Sequence, residues 1–363
     1  MRLTVYIVRR LLILIPTLLG VTFITFILSH AFGPNLAIAV YCNPKLGACS
    51  IDNPRLASLV AQFHLRDPLP VQYVYYMQGL LSGDWGFSSS AVSGGITVTQ
   101  AIILFFPQTL ELALTATVVA VFVGIPTGTL SAVKKDKIAD HATRIFALTG
   151  YAIPFFLLAL LFQLAAIALL PSWSIAGIFD PSLLSPNIQS WAFITLPGGS
   201  PQFYSQPTHI LVIDAILHGD GPVFWDALKH LILPTLTLAF GILGVILRMV
   251  RSGMVDSMNQ DYVRTAWSKG LPEWVVVKKH IRRNALLPAA TVIGLLFASL
   301  LGGVVLVETV FVWSGIGLWT TKAILQFDAG GIMGTTLIFA IFLVLINLIV
   351  DVVYAYLDPR ITL

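Results

Sequence analysis

"QDYVRTAWSKGLPEWVVVKKHIRRNALLP", residues 260–288, sets six Lys and Arg into a chain that is 57% hydrophobic and only 10% charged. An apolar run, Leu228 to Val250, precedes it, and a second, Asn284 to Val307, grows out of its end. Within it, Tyr262, Val263, Ala266, Trp267, Gly270 and Leu271 recur at the spacing of one helix face, with Arg264, Thr265, Ser268 and Lys269 around the other. This predicts a short amphipathic helix that starts at Asp261. Gly270 supplies a permissive stop, and Pro272 is a good first-turn residue for a second helix, with Glu273 at its positive end and Lys278 and Lys279 in its last turn. The expected unit is a helix-turn-helix, and composition leaves two readings of it open. Either a basic amphipathic pair rests on anionic lipid, or the surface receives another protein.

The flanking runs decide the class. A soluble domain carries roughly a quarter of its residues as Asp, Glu, Lys and Arg, so a 363-residue chain with this composition and a mean hydropathy of +0.87 reads as a membrane protein. A spanning helix needs roughly 20 apolar residues. Six runs qualify, near Leu11–Phe32, Pro107–Ala132, Ala142–Leu170, Leu228–Val250, Asn284–Val307 and Gly334–Leu357. Pro16, Gly124, Pro126, Pro154 and Pro234 are read as kinks that a helix bundle tolerates. With both termini cytoplasmic, 16 of the 21 Lys and Arg fall on the cytoplasmic side, and only Lys45, Arg55, Arg66, Lys229 and Lys322 lie outside. The first run exceeds a signal-peptide core and is expected to be an uncleaved anchor.

Residues 33–106 and about 171–227 are then extracytoplasmic. The first segment holds both cysteines, Cys42 and Cys49, which an oxidising exterior permits to pair, although spacing alone also suits two free thiols. "NPRLASLVAQFHL" and "PVQYVYYMQGLL" have helical apolar spacing suited to the outer membrane surface, and Trp173 and Trp191 suit the interface of the second segment. Catalytic chemistry finds no constellation. The sequence has neither a G-x-x-x-x-G-K-[ST] phosphate loop nor H-E-x-x-H, and no i, i+4 histidine pair to hold zinc. Among polar groups in apolar spans, Glu111, Glu308, Asn347 and Asp351 stand out; local hydrogen bonding and a place on a transport path are both open to them.

"QDYVRTAWSKGL…HIRRNALLP" resembles the cytoplasmic loop of binding-protein-dependent ABC importer permeases, in the form found in the dipeptide, oligopeptide and nickel group. The likeness covers nearly the whole chain: "RRLLILIPTLLGVTFITFIL", "DPLPVQYVYYMQGLLSGDWGFS", "PQTLELALTATVVAVFVGIPTGTLSA", "HLILPTLTLAFGILGVILRMVRSGM", "VETVFVWSGIGLWTTKAI" and a close with Asp358, Pro359 and Arg360 follow the family's order. Arg264 and Thr265 replace the general Glu-Ala of the loop, as in the peptide-type subgroup, and "FGPN" stands where Pro-Gly-Asp-Pro is usual.

The resemblance implies an all-α, six-span permease fold of the type I importer kind with extracytoplasmic loop insertions. It would comprise an N-terminal span (1–32), an extracytoplasmic segment (33–106) and a permease core (107–363) whose coupling loop occupies about 251–283. It implies that Asp261, Tyr262, Val263, Arg264, Ala266, Trp267, Lys269 and Gly270 form the helix that docks on an ATPase. The implied partners are a second homologous permease, two cytoplasmic ATPase subunits that carry ATP and Mg, an extracytoplasmic solute-binding protein and the lipid bilayer, with no nucleic acid and no cofactor on this chain. The implied cargo is peptide, with oligosaccharide or nickel as alternatives within the group. An ATP-independent channel or secondary transporter, or an intramembrane enzyme, is the reading from another class.

Overall fold

The computed structural model describes residues 3–30, 34–42, 49–90, 95–170, 176–180, 193–195, 201–203 and 208–357. Arg2, Lys45, Trp173, Trp191 and the closing Asp358, Pro359 and Arg360 lie outside them. The described chain is helical apart from two small antiparallel hairpins, β1–β2 (Phe87–Ser88 with Ile96–Thr97) and β3–β4 (Phe193–Thr195 with Pro201–Phe203).

Helix α1 (Leu3–His30) packs on the last helix, α14 (Ala329–Leu357). Three short helices follow, α2 (Pro34–Tyr41), α3 (Ala57–Gln62) and α4 (Leu69–Ser82), the last of which starts at a proline and stops at Gly83 in the left-handed conformation (φ +85°). Long helices α5 (Val98–Val133), α9 (Gly221–Met258) and α12 (Arg282–Phe311) form the centre. Between them come α6 (Ile138–Ala152), α7 (Phe155–Leu169) and the short α8 (Leu211–Leu217). The loop helix α10 (Asp261–Ser268) and the turn α11 (Glu273–Val275) precede α12, and α13 (Ile316–Leu325) precedes α14.

Among the described residues, four helices are long and apolar enough to cross a membrane: Val98–Val133, Gly221–Met258, Glu273–Leu300 and Ala329–Val352. Two bent pairs each match one span in composition, α6 with α7 at 105° and the end of α12 with α13 at 80°. The run Ala142–Leu170 is therefore a broken helix rather than the single kinked one expected. Proline crowds the preceding residue out of the helical region, and Ile153 and Pro154 are both extended (ψ 122° and 141°). Pro126 and Pro234, by contrast, sit inside continuous helices. The second helix also begins well before Pro107, at Val98, because Thr97 and Gln100 form a reciprocal capping box there.

Two cores result. The larger surrounds α9, which packs on α5, α12, α6 and α7. Apolar lipid gives helices little reason to associate by hydrophobicity, so close packing of small residues has to do it. A Cβ on Gly128 would lie 2.8 Å from the Leu247 carbonyl, and one on Gly253 would lie 2.8 Å from the Ala285 carbonyl. Backbones of α5 and α9, and of α9 and α12, touch at these points.

The smaller core joins α1 to the segment that follows it. Phe26, Ile38, Val40, Cys42, Leu56 and Leu65 are buried there, and Tyr41 stacks on Phe63 at 3.8 Å between centroids. Cys42 and Cys49 are joined in a disulfide beside it. Thr25 and Tyr76 share a hydroxyl hydrogen bond (3.3 Å), and burial pushes the Tyr76 phenol up to about 12.

Candidate functional site

The molecule has two polar ends, one with the basic loop and one with the disulfide. At the basic end, α9 stops at Met258 and the chain turns through Asn259 and Gln260 straight into α10. Gln260 is extended (φ −83°, ψ 148°), and Asp261 stands in the first turn, where the helix dipole favours a negative charge. Val263 (1% exposed) and Ala266 (4%) turn inward and join the core that includes Met254, Val276 and Ile281. Their neighbours Tyr262, Arg264, Trp267 and Lys269 are exposed, as is Trp274 (69%) beyond the turn. Arg264 pairs with Asp261 at 3.4 Å in full view of solvent. Gly270 has φ +73°, with open space where a Cβ would stand.

Here the structure departs from the expected helix-turn-helix in two respects. The second helix does not stop at Lys279. From Glu273 it widens into a π-type turn over Val276–Ile281 and continues as α12, because no Gly or Pro interrupts it before Pro288. From Glu273 onward the loop is thus the N-terminal extension of a long helix. The apolar face is also divided: Val263 and Ala266 are used by the chain's own core, while Tyr262, Trp267 and Gly270 remain outside it. What the loop presents outward is three aromatics, Tyr262, Trp267 and Trp274, among charges.

Next to this loop lies a contact that sequence reasoning missed. Asp140, fully buried at the start of α6, accepts two hydrogen bonds from Arg251 of α9 (Nε at 2.7 Å, Nη2 at 2.8 Å). The partners are 111 residues apart, and no local spacing signals them.

At the disulfide end, Glu308 is 0% exposed. One carboxylate oxygen accepts from the Thr109 hydroxyl of α5 at 2.7 Å, and the other from the Leu318 N–H in the first turn of α13 at 3.1 Å. Thr109 in turn accepts from the Ile316 N–H (2.8 Å). Val312, a non-glycine residue at φ +54°, makes the corner between α12 and α13, and the Trp313 indole donates to the Gln108 carbonyl (3.2 Å). Glu308 thus caps a helix across a bend of 80°. Asn347 is exposed and Asp351 half-buried, roughly 27 and 33 Å along α14 from its start. Glu111 is buried in α5, two residues and about half a turn from the Thr109 that bonds Glu308, and so on nearly the opposite face. Among the described residues, no group of three His, Cys, Asp or Glu could hold a metal ion.

Several apolar helices and a folded basic loop define a multi-pass membrane protein in which an amphipathic platform is held on two long helices. Its residues 124–363 match the family described as binding-protein-dependent transport system inner membrane component, and residues 3–113 match that family's N-terminal region. The chain belongs to this family. It is 38% identical over 353 residues to the probable D,D-dipeptide transport system permease protein DdpB of Escherichia coli K12, covering 96% of this chain and 94% of the relative. It is 36% identical to the dipeptide transport system permease protein DppB of the same strain, with 98% of both chains covered. It is 34% identical to the oligopeptide transport system permease protein AppB of Bacillus subtilis 168, again with 98% of both covered.

Proposed function

We propose that this chain is the membrane permease subunit of an ABC importer that carries di- or oligopeptides. The observation that carries the reading is likeness along almost the entire length to permeases whose names specify peptide transport. Six spans follow if α1, α5, the broken α6–α7, α9, α12 and α14 each cross once, with extracytoplasmic insertions after α1 and α7. The distribution of Lys and Arg then favours both termini in the cytoplasm and residence in the cell membrane.

In this reading the chain performs no catalysis and holds no cofactor. ATP and Mg belong to two ATPase subunits that grip the surface of α10, where Asp261, Tyr262, Arg264, Trp267, Lys269 and Gly270 are exposed while Val263 and Ala266 anchor it from beneath. A second permease completes the path, and a solute-binding protein delivers cargo at the disulfide end. Coupling requires that the ATPases hold α10 differently in their two states, because a partner shifts an equilibrium only through differential contact. The continuous helix from Glu273 into α12 supplies the lever. Glu308 is read as a structural cap, and Asn347 and Asp351 as the polar groups to test on the path.

The test is uptake of labelled peptides into proteoliposomes that hold the complete complex. Uptake that requires both ATP and the binding protein is expected, and uptake by this chain without them would support a channel or secondary transporter instead. Thermal melting of the cognate binding protein against peptides, oligosaccharides and nickel separates the cargo alternatives.

A further inference from the structure

The Asp140–Arg251 contact is more than a tie between neighbours. Asp140 receives four hydrogen bonds on two oxygens: Oδ1 accepts from Arg251 Nε and from the Ser131 hydroxyl (2.6 Å), and Oδ2 accepts from Arg251 Nη2 and the Asp136 N–H (3.0 Å). Ser131 lies in the last turn of α5, Asp136 in the turn after it, Asp140 in α6 and Arg251 in α9. One carboxylate therefore joins three elements at the basic end. Asp136 itself adopts φ +60°, which aims its N–H at the carboxylate, and Arg144 adds a second cation at 3.6 Å.

Arg251 stands two turns before the end of α9, and α9 leads directly into α10. Two residues further on, Gly253 abuts the backbone of Ala285. Any displacement of α10 is thus delivered to the inner ends of α9 and α12 together. α6 meets α7 at a bend of 105° at Ile153–Pro154, so the two are not one stiff rod, and α6 follows α9 instead, with Gly244 against the Ala147 backbone and Gly150 against that of Phe240. A bidentate pair resists sliding, because separating it takes two of the four donors from a buried carboxylate.

We propose that Asp140 and Arg251 form the strut that passes movement of the α10 loop to the α6–α7 pair, and are positioning residues for coupling ATP hydrolysis to transport. This rests on the importer reading above. It differs from a role in stability alone, which would lower the amount of complex without altering what each complex does.

The experiment uses the reconstituted complex with Arg251→Lys, which keeps the charge and loses the fork, and with Asp140→Asn. Peptide transported per ATP hydrolysed is measured at matched levels of assembled complex. A fall of about fivefold or more is expected, the lower end of ordinary coupling energies. Spin labels at Ile138→Cys and Asp256→Cys, both exposed, report the α6–α9 distance with and without ATP. In the otherwise unaltered chain the distance stays constant between the two conditions, and with Arg251→Lys it broadens. Variants that lose complex but keep the transport-to-ATP ratio and a constant distance would overturn the strut. A complex without these substitutions that takes up peptide with no ATP would overturn the importer reading, and the strut with it.

Discussion

Two short helices each follow a long one, α10 after α9 at the basic end and α13 after α12 at the disulfide end, and they are held in opposite ways. α10 is anchored by Val263 and Ala266 and leaves its polar flank and two aromatics uncovered. α13 is anchored by a fully buried carboxylate, and both Trp313 and Trp319 are buried around the corner. Small apolar anchors allow a surface to be gripped and released at little cost. A desolvated carboxylate with dedicated donors holds one arrangement, since every lost bond exposes an unsatisfied group. The contrast is between a helix whose outer face is open to a partner and one held fast within the chain.

The largest effect is expected at the fixed corner. Glu308→Ala leaves the buried Leu318 N–H without its acceptor and opens a cavity where the side chain stood, a loss of about 3 kcal/mol, and Glu308→Gln, which keeps an acceptor there, should lose less. The midpoint of thermal aggregation in detergent checks the order, and equal midpoints for Ala and the unaltered chain would remove the corner's special status.

Ala266→Glu comes next, at about 2–3 kcal/mol for a polar group forced into the loop's own core. Because Ala266 faces inward, the loop itself should become sensitive to limited proteolysis as ATPase co-purification falls. Loss of co-purification with an intact loop would place Ala266 in the docking surface instead.

Cys42→Ser should cost about 2.5 kcal/mol, from the entropy returned to a short loop, and should be confined to the disulfide end. Hydrogen exchange that speeds up in α2 and α3 and leaves α10 unchanged is the expected pattern; an equal change in α10 would erase the separation of the two ends.

The smallest effect is Gly270→Ala, about 1 kcal/mol for a side chain at positive φ, since no atom lies near the new Cβ. Uptake should fall modestly with insertion unchanged, and Gly270→Glu should fall further if a partner approaches that surface. Equal uptake by both variants would argue that nothing packs there.

The sequence made the apolar runs, the basic loop and the outer helices legible because each is written in local spacing. The Ile153–Pro154 break was legible in principle, through the restriction proline imposes on its predecessor. Pro126 and Pro234 carry the same letter inside intact helices, and the difference lies in neighbours distant in sequence. Helical spacing likewise gave the apolar face of α10 but not its division between the chain's core and the exterior, which depends on Met254 and Ile281 meeting Val263 and Ala266. Glu308 was visible as a buried charge, yet its partner Thr109 is 199 residues away, and Asp140 gave no sign of Arg251.

That distance of 199 residues also sets an order of events during synthesis. At about 5–20 residues per second, roughly 10–40 s separate the emergence of Thr109 from that of Glu308. A threonine can wait in a bilayer, because its hydroxyl bonds back to its own helix at little expense. A carboxylate cannot. In this chain the tolerant group is made first and the demanding one arrives near the end, with Leu318 only ten residues behind it. The ribosome thus delivers Glu308 to one donor already standing and a second that follows within ten residues, and a chain stalled before α13 would leave the acid half satisfied.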